Sequence, residues 1–387
     1  MRVQLGSERL LESSLLSGQR VGVVSNPASI DNTFSHIVDR VASLKGAHLT
    51  AIFGPQHGFR SDLQENMIET DHARDERRRV PVYSLYSETR QPTAEMLADV
   101  DVLVIDLPDV GTRIYAYIYT MANCLIAAKR HGVRVIVCDR PNPIGGVAIE
   151  GPMLVPGYES FVGMYPIPMR HGMTIGELAN VFNDRFGIGA ELAVVPMAGW
   201  TRGMYFDDTR VPWVMPSPNL PTLEGAIVYP GTVLFEGTSV SEGRGTTRPF
   251  ELVGAPGIVA ESFAEKMNRL RLPGVYFRPA VFEPTFHKHA KLTCGGCQIH
   301  VLDRTTFEPV LAGAALTAMF RSEDPEGFRW REPPYEYEHV KLPFDILAGS
   351  TELREQIEAG APVETIRTSW QAGTAAFAAL RRPYLLY

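Results

Sequence analysis

The sequence predicts an α/β protein. A parallel sheet covered by helices on both faces is expected over residues 1–257, and a smaller α+β domain over 258–387. Two observations carry this expectation. Through the first two-thirds of the chain, short β-branched runs alternate with helical stretches, the order that crossover connections between parallel strands demand. From Val211 to Gly257 the chain turns dense in Pro and Gly, and beyond it the alternation loses its regularity.

The elements follow in order. Residues 21–25 read as a buried strand, 34–44 as a helix and 49–53 as a second strand. Residues 80–83 form a short edge-like strand in which Pro81 limits pairing. A short helix over 93–98 takes Thr93 as its N-cap, and 100–105 is strongly strand-like. A long helix spans 114–130, a strand 133–137, a helix 174–186 with Glu177 at the capping-box position, and a strand 192–195. Residues 232–235, Thr-Val-Leu-Phe, read as a strand among ordered loops. In the smaller domain, 259–270 is helical, 274–281 and 298–302 are strands, and further helices begin near Val310, Thr351 and Val363. The run Arg74-Asp75-Glu76-Arg77-Arg78-Arg79 reads as a solvated loop.

Composition narrows the function classes. The 387 residues carry 37 basic and 44 acidic side chains, a net charge of −7, with 45% hydrophobic residues. An acidic total disfavours nucleic-acid binding, which depends on Lys and Arg neutralising phosphates. No apolar run approaches the ~18 residues of a membrane helix. The charged N-terminus lacks the apolar segment of a secretory signal. Four cysteines in so long a chain fit a reducing compartment, so a cytoplasmic location is expected.

In an open parallel sheet, ligands bind outside the carboxyl ends of the strands. Polar clusters follow the expected strands: Ser25-Asn26-Pro27, Gly54-Pro55-Gln56-His57-Gly58-Phe59-Arg60, the 106–113 loop with Asp106, Asp109 and Arg113, and Asp139-Arg140-Pro141-Asn142-Pro143. A fifth, 236–248, carries Glu236, Glu242 and Arg244. Five such loops on one rim point to a polar cleft, against the plainer reading of well-capped turns.

No Gly-rich phosphate loop and no Gly-x-Ser-x-Gly elbow occurs, so neither dinucleotide binding nor serine hydrolysis is expected. Cys294-Gly295-Gly296-Cys297 near His287, His289 and His300 has metal-site spacing, but a lone C-x-x-C reads better as a Gly turn with buried thiols. Carboxylate acid–base chemistry remains. Glu236 and Glu242 bracket a Gly/Ser-rich loop, and Glu65, Asp106 and Asp109 approach from neighbouring loops, a supply suited to glycoside cleavage. Asp109 has a helix cap near Arg113 as its structural alternative. His57 serves either acid–base work or a structural hydrogen bond. Arg60, Arg113, Arg140, Arg170 and Arg244 suit an anionic substrate group or structural pairing with the aspartates. Trp200, Tyr205 and Trp213 suit sugar stacking or packing.

Taken with Pro168-Met169-Arg170-His171-Gly172-Met173-Thr174 and Pro216-Ser217-Pro218-Asn219, these motifs cover nearly the whole chain and resemble the bacterial exo-β-N-acetylmuramidase family. The resemblance implies a Rossmann-like domain and a smaller domain with the active site between them. It implies removal of β-linked N-acetylmuramic acid from the non-reducing end of peptidoglycan fragments, without cofactor or metal. The implied partner is a small amino-sugar glycan or muropeptide, and the lactyl carboxylate would meet the arginines.

Two positions depart from the family pattern: Gln56, where the motif usually carries Glu, and Pro108, where Gln is common. With Gln56 unable to serve as an acid, Glu65, Glu69, Glu236 or Glu242 is expected to take the role, with His57 and Asp106 as further catalytic candidates. Asn26, Gln56, Arg60, Asp109, Arg113, Arg140, Asn142, Arg170, His171, Asn219 and Arg244 are the expected substrate-binding set. A non-catalytic carbohydrate-binding protein with the same cleft is the alternative, and a metal-dependent hydrolase a third.

Overall fold

The computed structural model describes residues 2–65 and 67–387. Strands β1 (Arg20–Ser25), β2 (His48–Gly54), β3 (Ala73–Asp75), β4 (Val80–Ser84), β5 (Val102–Asp106) and β6 (Arg134–Cys138) come first in the chain. They are followed by β7 (Glu150–Met153), β8 (Pro168–Arg170), β9 (Leu192–Val195), β10 (Leu252–Ala255), β11 (Val275–Phe282) and β12 (Cys294–Val301). The main sheet has the order β3-β4-β2-β1-β5-β6-β9, parallel throughout except for the β3–β4 hairpin. The chain first builds outward from β1 through β2 to β4 and then restarts on the other side of β1 with β5. The strand order therefore reverses between β1 and β5, where a doubly wound sheet opens a crevice at its carboxyl edge.

The central strands are buried on both faces, and their side chains alternate between two cores. Leu103, Ile105 and Val137 enter the larger core, which continues into the second domain. Val102, Val104 and Ile136 enter the smaller core. That second core is covered by α1 (Gly6–Leu11) and α2 (Ile37–Ser43). The larger one is covered by α3 (Ala94–Leu97), α4 (Tyr117–His131) and α5 (Ile175–Asn180). Thr93 caps α3 through a bond from Met96 N, and Thr174 and Glu177 form the capping box of α5, as the sequence predicts. The helix expected from residue 34 starts at Ile37, with His36 as its cap.

The later chain holds α6 (Leu223–Thr232), α7 (Ala260–Arg269), α8 (Pro309–Glu323), α9 (Pro343–Ala348), α10 (Glu352–Glu358), α11 (Val363–Ser369) and α12 (Gln371–Arg381) with the antiparallel sheet β10-β12-β11. Helix α7 covers that sheet, α8 packs on α6, α7, α10 and α11, and α12 packs on β7 and β8. β10, which precedes residue 257, pairs with β12 beyond it. Helices α6 and α8 cross so closely that a Cβ on Gly231 would lie 1.9 Å from the Pro309 carbonyl oxygen.

Three expectations are corrected here. Residues 232–235 are not a strand: they are the last turn of α6 and the 3-10 turn that continues it, Val233–Gly237. Their apolar, β-branched character reflects a helix buried nearly all round, which a short run cannot distinguish from a buried strand. The 74–79 run is solvated at Arg74, Glu76, Arg77 and Arg79, as expected, but it is not an irregular loop: it closes the β3–β4 hairpin, with Arg78 paired to Asp39 and Asp75 at 2.5 Å each. Asp109 caps no helix, because α4 begins only at Tyr117; its Oδ2 accepts instead from Gly111 N at 2.9 Å. Among the described residues no helix is long and apolar enough to cross a membrane.

Candidate active site

The loops after β2 and β5, the turn after α6 and a turn before α9 meet around one narrow cavity of about 40 Å³. Gln56 and His57 enter from the β2 loop, Tyr115 from the β5 loop, Asn219 from the stretch before α6, Glu236 and Arg244 from the segment after it, and Tyr335 and Glu336 from the last turn.

Two buried carboxyls face this cavity in contrasting environments. Glu236 accepts from Arg244 Nη2 at 2.6 Å through Oε1 and from the Tyr335 hydroxyl at 2.6 Å through Oε2, a charge-paired anion held on both oxygens. Among the described residues no cation is hydrogen-bonded to Glu336, and Arg90 acts on it only as a weaker, more distant charge. Glu336 accepts from Gln56 Nε2 at 3.1 Å and from the Tyr86 hydroxyl at 2.9 Å. Burial raises its carboxyl, the Glu236 charge adds to the effect, and the bonds from Tyr86 and Gln56 oppose it; the balance stands at about 7. One carboxyl fixed as an ion-pair partner and one that carries a proton near neutrality is the division of labour that general acid chemistry uses.

The backbone supports this placement. Tyr335 and Glu338 exchange both backbone hydrogen bonds at 2.9 Å, closing a two-residue hairpin turn with Glu336 and Tyr337 at its centre. Both central residues have positive φ, 43° and 69°, the geometry of a turn that normally uses Asn and Gly. Two bulky side chains in left-handed conformations cost about 1–3 kcal/mol each and persist where the surroundings demand them. Here the turn drives Glu336 into the cavity.

His57 is also left-handed, at φ 69°, and burial pushes its imidazole down to about 4, so the ring is neutral near pH 7. Its Nδ1 lies 2.8 Å from the Leu63 carbonyl, which makes Nδ1 the protonated nitrogen and leaves Nε2 as an acceptor.

Of the expected site residues, the fold brings together Gln56, His57, Asn219, Glu236 and Arg244. The others stand elsewhere. Glu65 and Arg60 are solvent-exposed and form no part of the cavity wall. Glu242 is fully buried and turns to Lys288 at 2.7 Å and Arg244 at 3.1 Å. Burial alone would raise it, but Lys288, Arg244 and His287 outweigh that and hold it at about 2, so it is a structural anion. Asp106 is spent on a two-oxygen pair with Arg140 at 2.6 and 2.9 Å.

Arg113, completely buried, donates to the carbonyls of Pro152, Ile167 and Leu347, tying β7 and the approach to β8 to the end of α9. Arg170 donates to Ile144 O and Asn142 to Met173 O, while His171 lies 3.3 Å from Asp109. Asn26 bonds Pro216 O at 2.8 Å and the Tyr117 hydroxyl at 3.1 Å, which anchors the loop behind the cavity without lining it. Four of the five arginines expected to meet an anionic substrate group are thus off the cavity, and Arg244 alone lines it.

Cys294 and Cys297 sit three apart on β12, pointing to opposite faces, and both are buried and unpaired. His287, His289 and His300 contact Glu242, Ser239 and Arg278 separately. Among the described residues no His, Cys, Asp and Glu cluster is arranged to hold a metal.

Comparison with known proteins agrees with this architecture. Residues 21–224 match the model of the N-terminal domain of exo-β-N-acetylmuramidase NamZ, and residues 227–387 that of its C-terminal domain. The chain belongs to the NamZ family. It is 49% identical to the peptidoglycan β-N-acetylmuramidase NamZ of Bacillus subtilis (strain 168), over all of this chain and 92% of that protein. Crystal structures of two DUF1343 family proteins from Bacteroides fragilis NCTC 9343 superpose on the whole chain and on 99% of each of those chains. Their TM-scores are 0.90 and 0.78, at 35% and 27% identity. Within the NamZ frame, the acidic residue absent from the sequence-based set is Glu336. Its one sequence signal was the run Pro333-Pro334-Tyr335-Glu336-Tyr337-Glu338, in which a rigid dipeptide precedes alternating aromatic and acidic side chains.

Proposed function

We propose that this chain is an exo-acting glycoside hydrolase that releases β-linked N-acetylmuramic acid from the non-reducing end of peptidoglycan fragments. The observation that carries the reading is the protonatable Glu336 beside the charge-paired Glu236 in one buried cavity, in a chain of the NamZ family. Glu336 donates its proton to the glycosidic oxygen as the bond to the anomeric carbon breaks, and the bonding electron pair leaves with that oxygen; a water oxygen then bonds the anomeric carbon, and the proton that water loses restores the Glu336 acid. Glu236, fixed by Arg244 and Tyr335, stabilises the positive charge that develops on the sugar ring. Gln56 holds the Glu336 carboxyl in place, and His57, Asn219 and Arg244 complete the wall that receives the sugar.

A sugar ring exceeds the present cavity, so substrate is admitted by movement of a wall, and the 335–338 turn, which lines the open groove on its other side, is the wall assigned to that movement. The division between the two domains is read at about residue 225, since α6 and β10 pack with the later chain. Four unpaired cysteines favour a reducing cytoplasm, where imported wall fragments would be the substrate.

The test is incubation with the disaccharide of N-acetylmuramic acid β-linked to N-acetylglucosamine. Release of free N-acetylmuramic acid, abolished in Glu336→Gln, is expected. Intact disaccharide that nevertheless binds would contradict the enzyme reading in favour of a carbohydrate-binding protein.

A further inference from the structure

On the far side of the 335–338 turn lies a second, open groove of about 610 Å³, within the range of small-molecule sites. Glu336 lines both spaces, the narrow cavity and the groove. The groove wall includes Tyr337, Phe161, Arg90, Ser160 and Glu69. Arg90 is clamped among aromatic rings, its guanidinium carbon 4.0 Å from the centroid of Tyr337 and 4.7 Å from that of Tyr86, while Glu69 accepts from the Tyr337 hydroxyl at 3.1 Å. Tyr337 and Glu336 are the two central residues of one strained turn, so a single backbone feature sets the acid on one side and an aromatic wall on the other.

We infer that this groove is the leaving-group subsite, which holds the sugar on the reducing side of the scissile bond. A general acid that protonates a glycosidic oxygen stands where the two sugars meet, and Glu336 is the residue common to both spaces. The inner cavity is narrow and the groove wide and more open, the asymmetry that removal of one terminal sugar from a longer chain requires. Charge selects the kind of sugar. Arg90 on the groove wall is already paired with Glu69 at 3.3 Å and set among aromatic rings, and Glu159 adds a carboxylate, a setting that suits a neutral amino sugar stacked on Phe161 and Tyr337 better than an anionic residue.

The inference rests on the glycosidase reading, and the experiment separates the two. Wild-type, Ser160→Trp and Phe161→Ala chains are assayed on the disaccharide and on the β-fluoride of N-acetylmuramic acid, whose leaving group is too small to use the groove. Ser160 lines the groove and not the cavity, and its side-chain oxygen accepts from Val162 N at 3.3 Å, so a bulky residue there fills the subsite while any shift passed on through Val162 to the cavity lowers turnover of both substrates alike. The expected result is a loss of kcat/KM at least about tenfold greater on the disaccharide than on the fluoride for both variants. Fluoride turnover by the variants also shows that they are folded. Equal losses on both substrates, or none on either, with the wild type active, overturn the subsite alone. A wild type that turns over neither substrate overturns the glycosidase reading and the subsite with it.

Discussion

The side-chain amide of Gln56 donates to Oε1 of Glu336 at 3.1 Å, joining positions 280 residues apart in the chain. At position 56 this chain has a donor that grips an acid from a distant segment. Gln56→Glu would set two carboxyls at hydrogen-bond distance, where both cannot ionise together, so one holds its proton to higher pH. The alkaline limb of the pH–rate profile is expected to move up by about one unit or more in this variant, with activity retained. Loss of activity at every pH would show that the donated amide hydrogen bond is what the site needs.

The wild-type profile follows from the same carboxyl. The acid form of Glu336 is the working form, and it is depleted as pH rises through about 7. Below that value kcat/KM is flat on this account, and above it falls by about tenfold per pH unit. Tyr86 donates to the ionised form, so Tyr86→Phe removes a favourable contact of the anion and moves the limb upward. Profiles recorded for both chains on the disaccharide check the sign.

Glu242 and Arg113 are predicted to matter for stability rather than chemistry. Glu242→Gln takes from Lys288 its carboxylate partner and from Arg244 one of two, Glu236 remaining, a break in a buried network expected to cost about 3–5 kcal/mol. Urea unfolding measures it, and a midpoint equal to that of the wild type would refute a structural role.

Arg113→Met strips donors from three buried carbonyls, at about 1–3 kcal/mol for each left unpaired. The same unfolding measurement applies. An unchanged midpoint accompanied by loss of substrate affinity would instead return Arg113 to the binding site.

Much of the sheet was legible in the sequence because its central strands are unbroken apolar runs bounded by turn residues, as in 102–106 and 134–138. The 232–235 run misled for the same reason: a helix buried on every side has no polar face to betray its period. In the site, Gln56, His57, Glu236 and Arg244 stand in loops whose composition marks them. Glu65 and Glu242 carry the same residue type but differ in burial and partners, which depend on distant segments such as the one that brings Lys288 to Glu242. Glu336 stands in a run whose Pro-Pro and alternating aromatic and acidic residues mark a turn, but what makes it a site residue lies in φ angles and in contacts with distant Gln56 and Tyr86, which local sequence does not record.

The central claim is that Glu336 supplies the proton to the leaving oxygen. It is tested most directly by comparing wild type and Glu336→Gln on the disaccharide and on the 2,4-dinitrophenyl β-glycoside of N-acetylmuramic acid, whose leaving group departs without protonation. The account predicts a fall of ~10²–10⁴ in kcat/KM on the disaccharide and a fall of less than about tenfold on the activated glycoside. Equal falls on both substrates, or an active variant on the disaccharide, would contradict it.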